Sequence, residues 1–501
     1  MTIGRALSIS PRPALTAGLF ALALLPLSAL AQDSAVLTYH GDNRRSGHYV
    51  VPALSWEKAG SVELDRAFNA RVAGPMYAQP LYWRPPGAST GTLFVATEDD
   101  VVQALDATSG KELWKRAVGR PVRASSLPCG NINPLGITGT PVIDPATEAI
   151  YVDAAVEQAD GPHHKVLALS TRDGHILPGW PIDVAGALRQ SGRQFDPRVQ
   201  NQRSALALVD GMLYVAFGGH FGDCGNFHGW VVGISLRDPT KLVSFETRAR
   251  GGGIWSPGGP SAVGHDIYFA TGNTFGTTSW SDGEAVFHLG ADLRRNDDKK
   301  DYFAPSDWKA LDAHDADLGG SSPLPLDVPG AGADRALILA LGKDGKAYLL
   351  DRNRLGGVGG QLAVETVSQS LIITAPATYR VGDDVLVAFR AQGAHCPTGR
   401  GHDLTVLKVT AGPPPAMVTA WCGAVRGRGS PIVTTTDGHA NPIVWMLGAE
   451  GDDRLHAFRG DTGEPIFVSE PLSGLRRFQT PIATQDRLYV GADGRIDAFK
   501  F

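Results

Sequence analysis

The side chains best suited to chemistry are few and far apart. Cys129, Cys224, Cys396 and Cys422 contain no C-x-x-C pair among them, so a zinc or thiol-redox site has no support from their spacing. An even set is what an oxidising compartment pairs. Three connectivities are open, and the short separation of 26 positions favours Cys396–Cys422 with Cys129–Cys224. No C-x-x-C-H occurs, which excludes covalently attached c-type haem from this chain. His163, His164, His220 and His228 would form a metal cluster only if distant loops converged, because neither H-x-H nor H-E-x-x-H spacing is present. Asp297-Asp298-Lys299-Lys300-Asp301 mixes both signs and reads as a solvated loop.

Composition sets the frame that must position any such groups. The 501 residues are 43% apolar and 19% charged, with 61 Gly and 34 Pro, which together make about a fifth of the chain. An average protein holds nearer ~12% of those two residues. Enough apolar mass for a large core, combined with so many turn formers, points to an all-β fold. A net charge of -5 carries no basic footprint, so nucleic acid is excluded as a partner. At the N-terminus Arg5 and Arg12 precede an apolar run from Ala14 to Ala31 that ends in Ala29-Leu30-Ala31. This reads as a secretory signal over residues 1–31, cleaved after Ala31. No second stretch reaches the ~20 apolar residues of a membrane span. The expectation is a soluble exported protein, most simply periplasmic.

Internal repetition decides the architecture. A short strand opening on a small residue or proline recurs eight times, at Gln79-Pro80, Thr140-Pro141, Ser204-Ala205, Gly259-Pro260, Ser322-Pro323, Ala375-Pro376, Ser430-Pro431 and Thr480-Pro481. A β-prone run such as LFVAT from Leu93 or LYVGA from Leu488 follows each, and then a third run such as VVQALD or RIDAF. A period of roughly 45–70 residues suits four-stranded blades with variable loops. The eighth unit ends at Phe501 after its third strand, while Ser61–Val72 is a β-like stretch ahead of the first unit. The predicted fold is an eight-bladed β-propeller over 61–501, its ring closed by that N-terminal strand completing the last blade. Residues 32–60 are an N-terminal extension.

The repeat endings carry a fingerprint. Ala104-Leu105-Asp106-Ala107-Thr108-Ser109-Gly110-Lys111-Glu112-Leu113-Trp114 resembles the A-x-D-x-x-T-G-x-x-x-W tryptophan-docking repeat of quinoprotein propellers, with weaker copies at 168–174 and 457–463. The resemblance implies that the Trp packs between blades and the turn closes the outer hairpin. A further stretch, Gly251-Gly252-Gly253-Ile254-Trp255 followed eighteen residues later by Asn273 in Ala-Thr-Gly-Asn, is similar to the alcohol dehydrogenases that use pyrroloquinoline quinone (PQQ). That likeness implies Trp255 as the floor of the quinone and Asn273 as a Ca²⁺ ligand, with Asp223 in the position of a longer acidic ligand. It also implies Asp317 as general base, with Asp307 and Asp315 as competitors, and Lys343 over the quinone. Arg123, Arg203 and Arg428 precede inner strands and could meet the carboxylates of the cofactor. An aromatic face suits a flat ring and oxygen ligands suit a hard dication.

The chain departs from that family in lacking adjacent cysteines and a haem domain. Each residue also has a plainer reading: Trp255 as packing, Asn273 as a turn residue, Lys343 as a hairpin lysine. Two functions stay open. One is a PQQ- and Ca²⁺-dependent dehydrogenase of an alcohol or sugar, without haem. The other is a non-catalytic propeller that binds a protein, peptide or glycan on its top face.

Overall fold

The computed structural model describes residues 1, 2, 4, 35–330, 333–397 and 403–501. Apart from Met1, Thr2 and Gly4, the expected signal segment and its cleavage site lie outside the described residues. The eight sequence units form eight sheets. Blade one shows the plan: Leu81–Trp83, Thr92–Thr97, Val101–Asp106 and Glu112–Ala117, antiparallel in sequence order. Its first three strands are buried on both faces, because each blade is sandwiched between two neighbours. Only the outermost strand alternates between solvent and core. That geometry explains why the central strands read as near-continuous apolar runs.

Ring closure follows the sequence expectation. Blade eight takes Ile482–Ala483, Arg487–Ala492 and Arg495–Lys500 from the C-terminus, and Glu63–Leu64 and Ala70–Arg71 pair antiparallel with the last of these. Tryptophan docking is equally direct. The Trp114 indole N–H of blade one donates to Thr171 O of blade two at 2.9 Å, and Gly174 leaves the space its ring fills. Trp421 repeats the contact between blades six and seven, donating to Gly460 O at 3.0 Å.

The stretch 35–51, set apart in sequence as an extension, is built into the ring. Val36 exchanges backbone hydrogen bonds with Tyr82. Along the same segment, Ile143 N–H donates to Leu37 O, Ala262 N–H to Asn43 O, Thr378 N–H to Ser46 O and Val433 N–H to Gly47 O. His48–Val50 then lies parallel to Ile432–Thr435, the inner strand of blade seven. Inner strands would otherwise present unpaired backbone to the axis, so the segment satisfies them from within. Arg45, 0% exposed, donates to Thr38 Oγ1, Leu206 O and Pro260 O. Burial pulls its pKa down to about 10, against the opposing charge of Asp42. Among the described residues no helix is long and apolar enough to cross a membrane.

Candidate functional site

Trp255, Asn273, Asp223, Asp317, Lys343, Arg123, Arg203 and Arg428 all lie on one face of the ring, either between blades or in the hairpin joining second and third strands. Trp255 lies between blade three, which ends with Leu242–Glu246, and blade four, which begins with Ser261–Val263. Asn273 is in the blade-four hairpin between Asp266–Ala270 and Val286–Leu289. Asp317 precedes Leu324–Val328 of blade five, and Lys343 is in the tight hairpin between Arg335–Leu341 and Lys346–Asp351.

The glycine triplet explains why Trp255 and Asn273 meet. Gly251 and Gly252 have φ of +91° and +63°, and a Cβ on Gly251 would come within 2.5 Å of Asn273 O. Without side chains the strand end lies flat on the hairpin, with Gly252 N–H donating to Asn273 O at 2.7 Å and Gly272 N–H to Gly253 O at 2.9 Å. Gly272 also leaves room for both Asp317 and the Trp255 indole, which its Cβ would meet at 2.8 and 3.3 Å.

Asp317 is 3% exposed. Its Oδ1 accepts from Asn273 N–H at 2.8 Å, and its Oδ2 lies 2.6 Å from Lys343 Nζ. Lys343 also donates to Asp315 Oδ1 at 2.8 Å, and its Nζ stands 5.1 Å from the centre of the Trp255 ring. Burial alone would lower the lysine pKa, but the Asp317 charge and the hydrogen bonds to Asp315 and Asp317 raise it, so the ammonium stays charged. Arg203 approaches the same indole at 5.9 Å and also stands 5.7 Å from the Phe478 ring.

Acidity surrounds this single lysine. Asp223, in the blade-three hairpin, has its pKa raised by burial and by the charges of Asp317 and Asp315. Glu284, not anticipated from the sequence, is fully buried; its Oε2 accepts from Leu318 N–H at 2.6 Å while Oε1 has no partner. Burial and the Asp317 charge push its pKa well above the ordinary range. The available signal was an acid directly ahead of the apolar run Ala285-Val286-Phe287, where a charge must either face the site or be neutralised. Asp312 accepts from both Thr274 N–H and Thr274 Oγ1–H at 2.8 Å. On the far side of Arg203, burial raises Glu98 to about 7, and burial with the charges of Glu98 and Asp153 raises Asp100 to about 9.

The structure thus brings together Trp255, Asn273, Asp317, Lys343 and Arg203, with Asp223 in electrostatic reach. Arg123 is exposed ahead of the turn Ala124–Ser126, and Arg428 is exposed between blades six and seven; neither stacks on Trp255. Asp307 is engaged elsewhere, pairing with Lys346 at 3.0 Å. Three of the four histidines keep separate partners, Asp160 and Asp183 for His163, Asp153 for His164 and Thr247 O for His228, while the buried His220 Nε2 has none among the described residues. Among the described residues, no three His, Cys, Asp or Glu side chains are arranged to hold a metal ion. Both expected disulfides are formed, and Cys129–Cys224 ties the blade one-to-two connection to the hairpin that carries Asp223.

Residues 54–283 match the family model PQQ_2, described as outer membrane protein assembly factor BamB. No curated protein matches the chain. Among solved structures, a europium-containing methanol dehydrogenase superposes with a TM-score of 0.62 at 13% identity, covering 92% of this chain and 90% of its own. A quinohemoprotein alcohol dehydrogenase, ADHIIG from Pseudomonas putida HK5, gives 0.63 at 14% identity, covering 93% and 80%. That from Comamonas testosteroni gives 0.61 at 14% identity, covering 93% and 80%. At such identities the likeness establishes the propeller fold.

Proposed function

We propose that this PQQ-like propeller repeat protein is an exported, periplasmic quinoprotein that binds PQQ with Ca²⁺ on its axis and oxidises an alcohol or sugar. The observation that carries this reading is the Trp255 indole standing beside a Lys343–Asp317 pair, 5.1 Å from the ammonium, with Arg203 at 5.9 Å. A flat anionic ring needs an aromatic face and cations at its edges, and these residues supply both. The donor set also suits a hard cation. Asp223, Asp315 and Asp317 act on a single lysine, an excess of negative charge that a divalent cation would balance. Asn273 and Asp223 are the oxygen donors that would hold it.

When bound, the quinone supplies the two-electron acceptor for the oxidation. The chain's own part is positional and acid–base. Glycines at 272 and 320 keep side chains away from the indole. The Asn273 N–H holds Asp317 Oδ1, which orients Oδ2 to receive the proton of a substrate hydroxyl. Lys343, kept charged by its carboxylate neighbours, balances negative charge above the indole.

A second reading has its own support. The acid and the lysine are already bonded to each other, and residues 54–283 match a model described as an assembly factor. On that reading the same face binds a protein, peptide or glycan, and Trp255 serves packing. Calorimetric titration of the mature protein with PQQ in the presence of Ca²⁺ separates the two. Saturable binding, weakened by about 2–3 kcal/mol in Trp255→Ala, supports the quinoprotein. A flat titration of the wild type supports the scaffold.

A further inference from the structure

We propose that the cleft between blades six and seven is an anion site for a small molecule ending in a phosphate or carboxylate, read by the guanidiniums of Arg426 and Arg428. The cleft encloses about 830 Å³ and is lined by Arg390, Asp403, Arg426, Arg428, Glu450 and Asp452 among others. That volume falls in the range of small-molecule sites, roughly 300–1,000 Å³.

The carboxylates lining it are already committed. Asp403 accepts from Arg390 Nη2 and from Gly427 N–H, both at 2.9 Å. Glu450 is held by Arg477, through Nη2 at 2.7 Å and Nε at 2.9 Å. Asp452 takes His456 Nε2 at 3.0 Å and the backbone N–H groups of Arg426 and Arg454. Arg390 is equally spent, donating to Gly427 O, Ser370 Oγ and Leu371 O besides Asp403. The guanidiniums of Arg426 and Arg428, in contrast, have no ion pair or hydrogen bond to any described residue. Ten planar donors therefore face a cleft whose own acceptors are taken.

The backbone that carries them is fixed. Gly427 has φ of +150°, and a Cβ there would come within 2.2 Å of the Gly448 carbonyl carbon. Gly427 O accepts from Arg390 Nε at 3.0 Å, Arg428 N–H donates to Ala449 O at 2.9 Å, and Arg428 O accepts from Phe478 N–H at 2.8 Å. Two guanidiniums one residue apart on a pinned chain suit bidentate capture of an oxyanion with little ordering cost. The same backbone is tied inward: Arg428 O accepts from Phe478 N–H, the Phe478 ring meets Arg203, and Arg203 meets Trp255.

The test needs no quinone, so its result is separate from that of the axial reading. Wild-type protein at low ionic strength is titrated calorimetrically with inorganic phosphate and, separately, with succinate. Saturable binding is expected to at least one probe, weakened about tenfold or more in Arg426→Gln and in Arg428→Gln and retained in Arg294→Gln, an exposed arginine on another blade. The probe bound more tightly identifies the terminal group. No saturable heat with either probe, or unchanged affinity in the Arg426→Gln/Arg428→Gln double variant, overturns the proposal. So does binding only of an acidic polypeptide.

Discussion

Replacing Lys343 by Met tests the electrostatics of the axial cluster most directly, because it removes the charge and keeps most of the volume. Lys343 Nζ lies 2.6 Å from Asp317 Oδ2, and the two side chains are 12% and 4% exposed. At an effective dielectric of about 20, a pair at that distance attracts by about 6 kcal/mol before desolvation. The contact with Asp315 adds little, since that side chain is 66% exposed and screened. Removing one partner of a buried pair costs about 3–5 kcal/mol, because the other charge is left uncompensated. Here the remaining carboxylate also faces Glu284, Asp312 and Asp223. The expected loss at pH 7 is therefore about 3–5 kcal/mol of unfolding free energy in guanidinium titrations. The sign with pH follows from the raised lysine pKa. Its stabilisation is complete below the ordinary lysine value and is lost as pH rises through the higher folded value. The gap between wild type and variant should thus be full at about pH 7 to 9 and shrink at higher pH as the lysine loses its proton. Lys343→Met/Asp317→Leu should be more stable than Lys343→Met alone. A loss under about 1 kcal/mol at pH 7, or a gap that does not shrink at alkaline pH, would refute the assignment of Asp317 and Lys343 as a buried charge pair.

Trp114→Ala should cost about 3–5 kcal/mol in the same unfolding assay, since it opens a cavity between blades one and two and leaves Thr171 O without its donor; a change within about 0.5 kcal/mol would remove tryptophan docking as a source of ring cohesion. Glu98 and Asp100 titrate higher in the fold than in the unfolded chain, so stability should fall as pH rises from about 4 toward about 9. Glu98→Gln/Asp100→Asn should flatten that slope, and an unaltered profile would show that other groups set it. Export with cleavage after Ala31 predicts that the intact mass of periplasmic material begins at Gln32; a mature chain that keeps Met1 would defeat it.

The propeller was legible because its information is local and repeated. Strand runs, turn residues and the Asp106–Trp114 ending recur along the chain, and the unpaired strands at its two ends can only complete each other. Pairing of all four cysteines was legible from their even count, and of the three possible connectivities the one favoured by spacing is formed. The glycine triplet ahead of Trp255 stood out in the sequence through its resemblance to the quinone enzymes, and in the fold its backbone lies against the Asn273 hairpin. What the sequence could not show were contacts made across blades. Arg123, Arg203 and Arg428 occupy equivalent positions ahead of inner strands, yet only Arg203 reaches the Trp255 ring, because loop path rather than loop position aims a side chain. Glu284 is an unremarkable acid in sequence and a buried neighbour of Asp317 in the fold. Residues 35–51 carry no strand-like periodicity, and their pairing with inner strands exists only once the ring has gathered those strands around one axis. The sequence alone therefore determined the repeating unit and its closure, which depend on patterns within tens of residues. Which charges face one another at the mouth was decided by the closed ring, since it brings loops from separate blades within bonding distance.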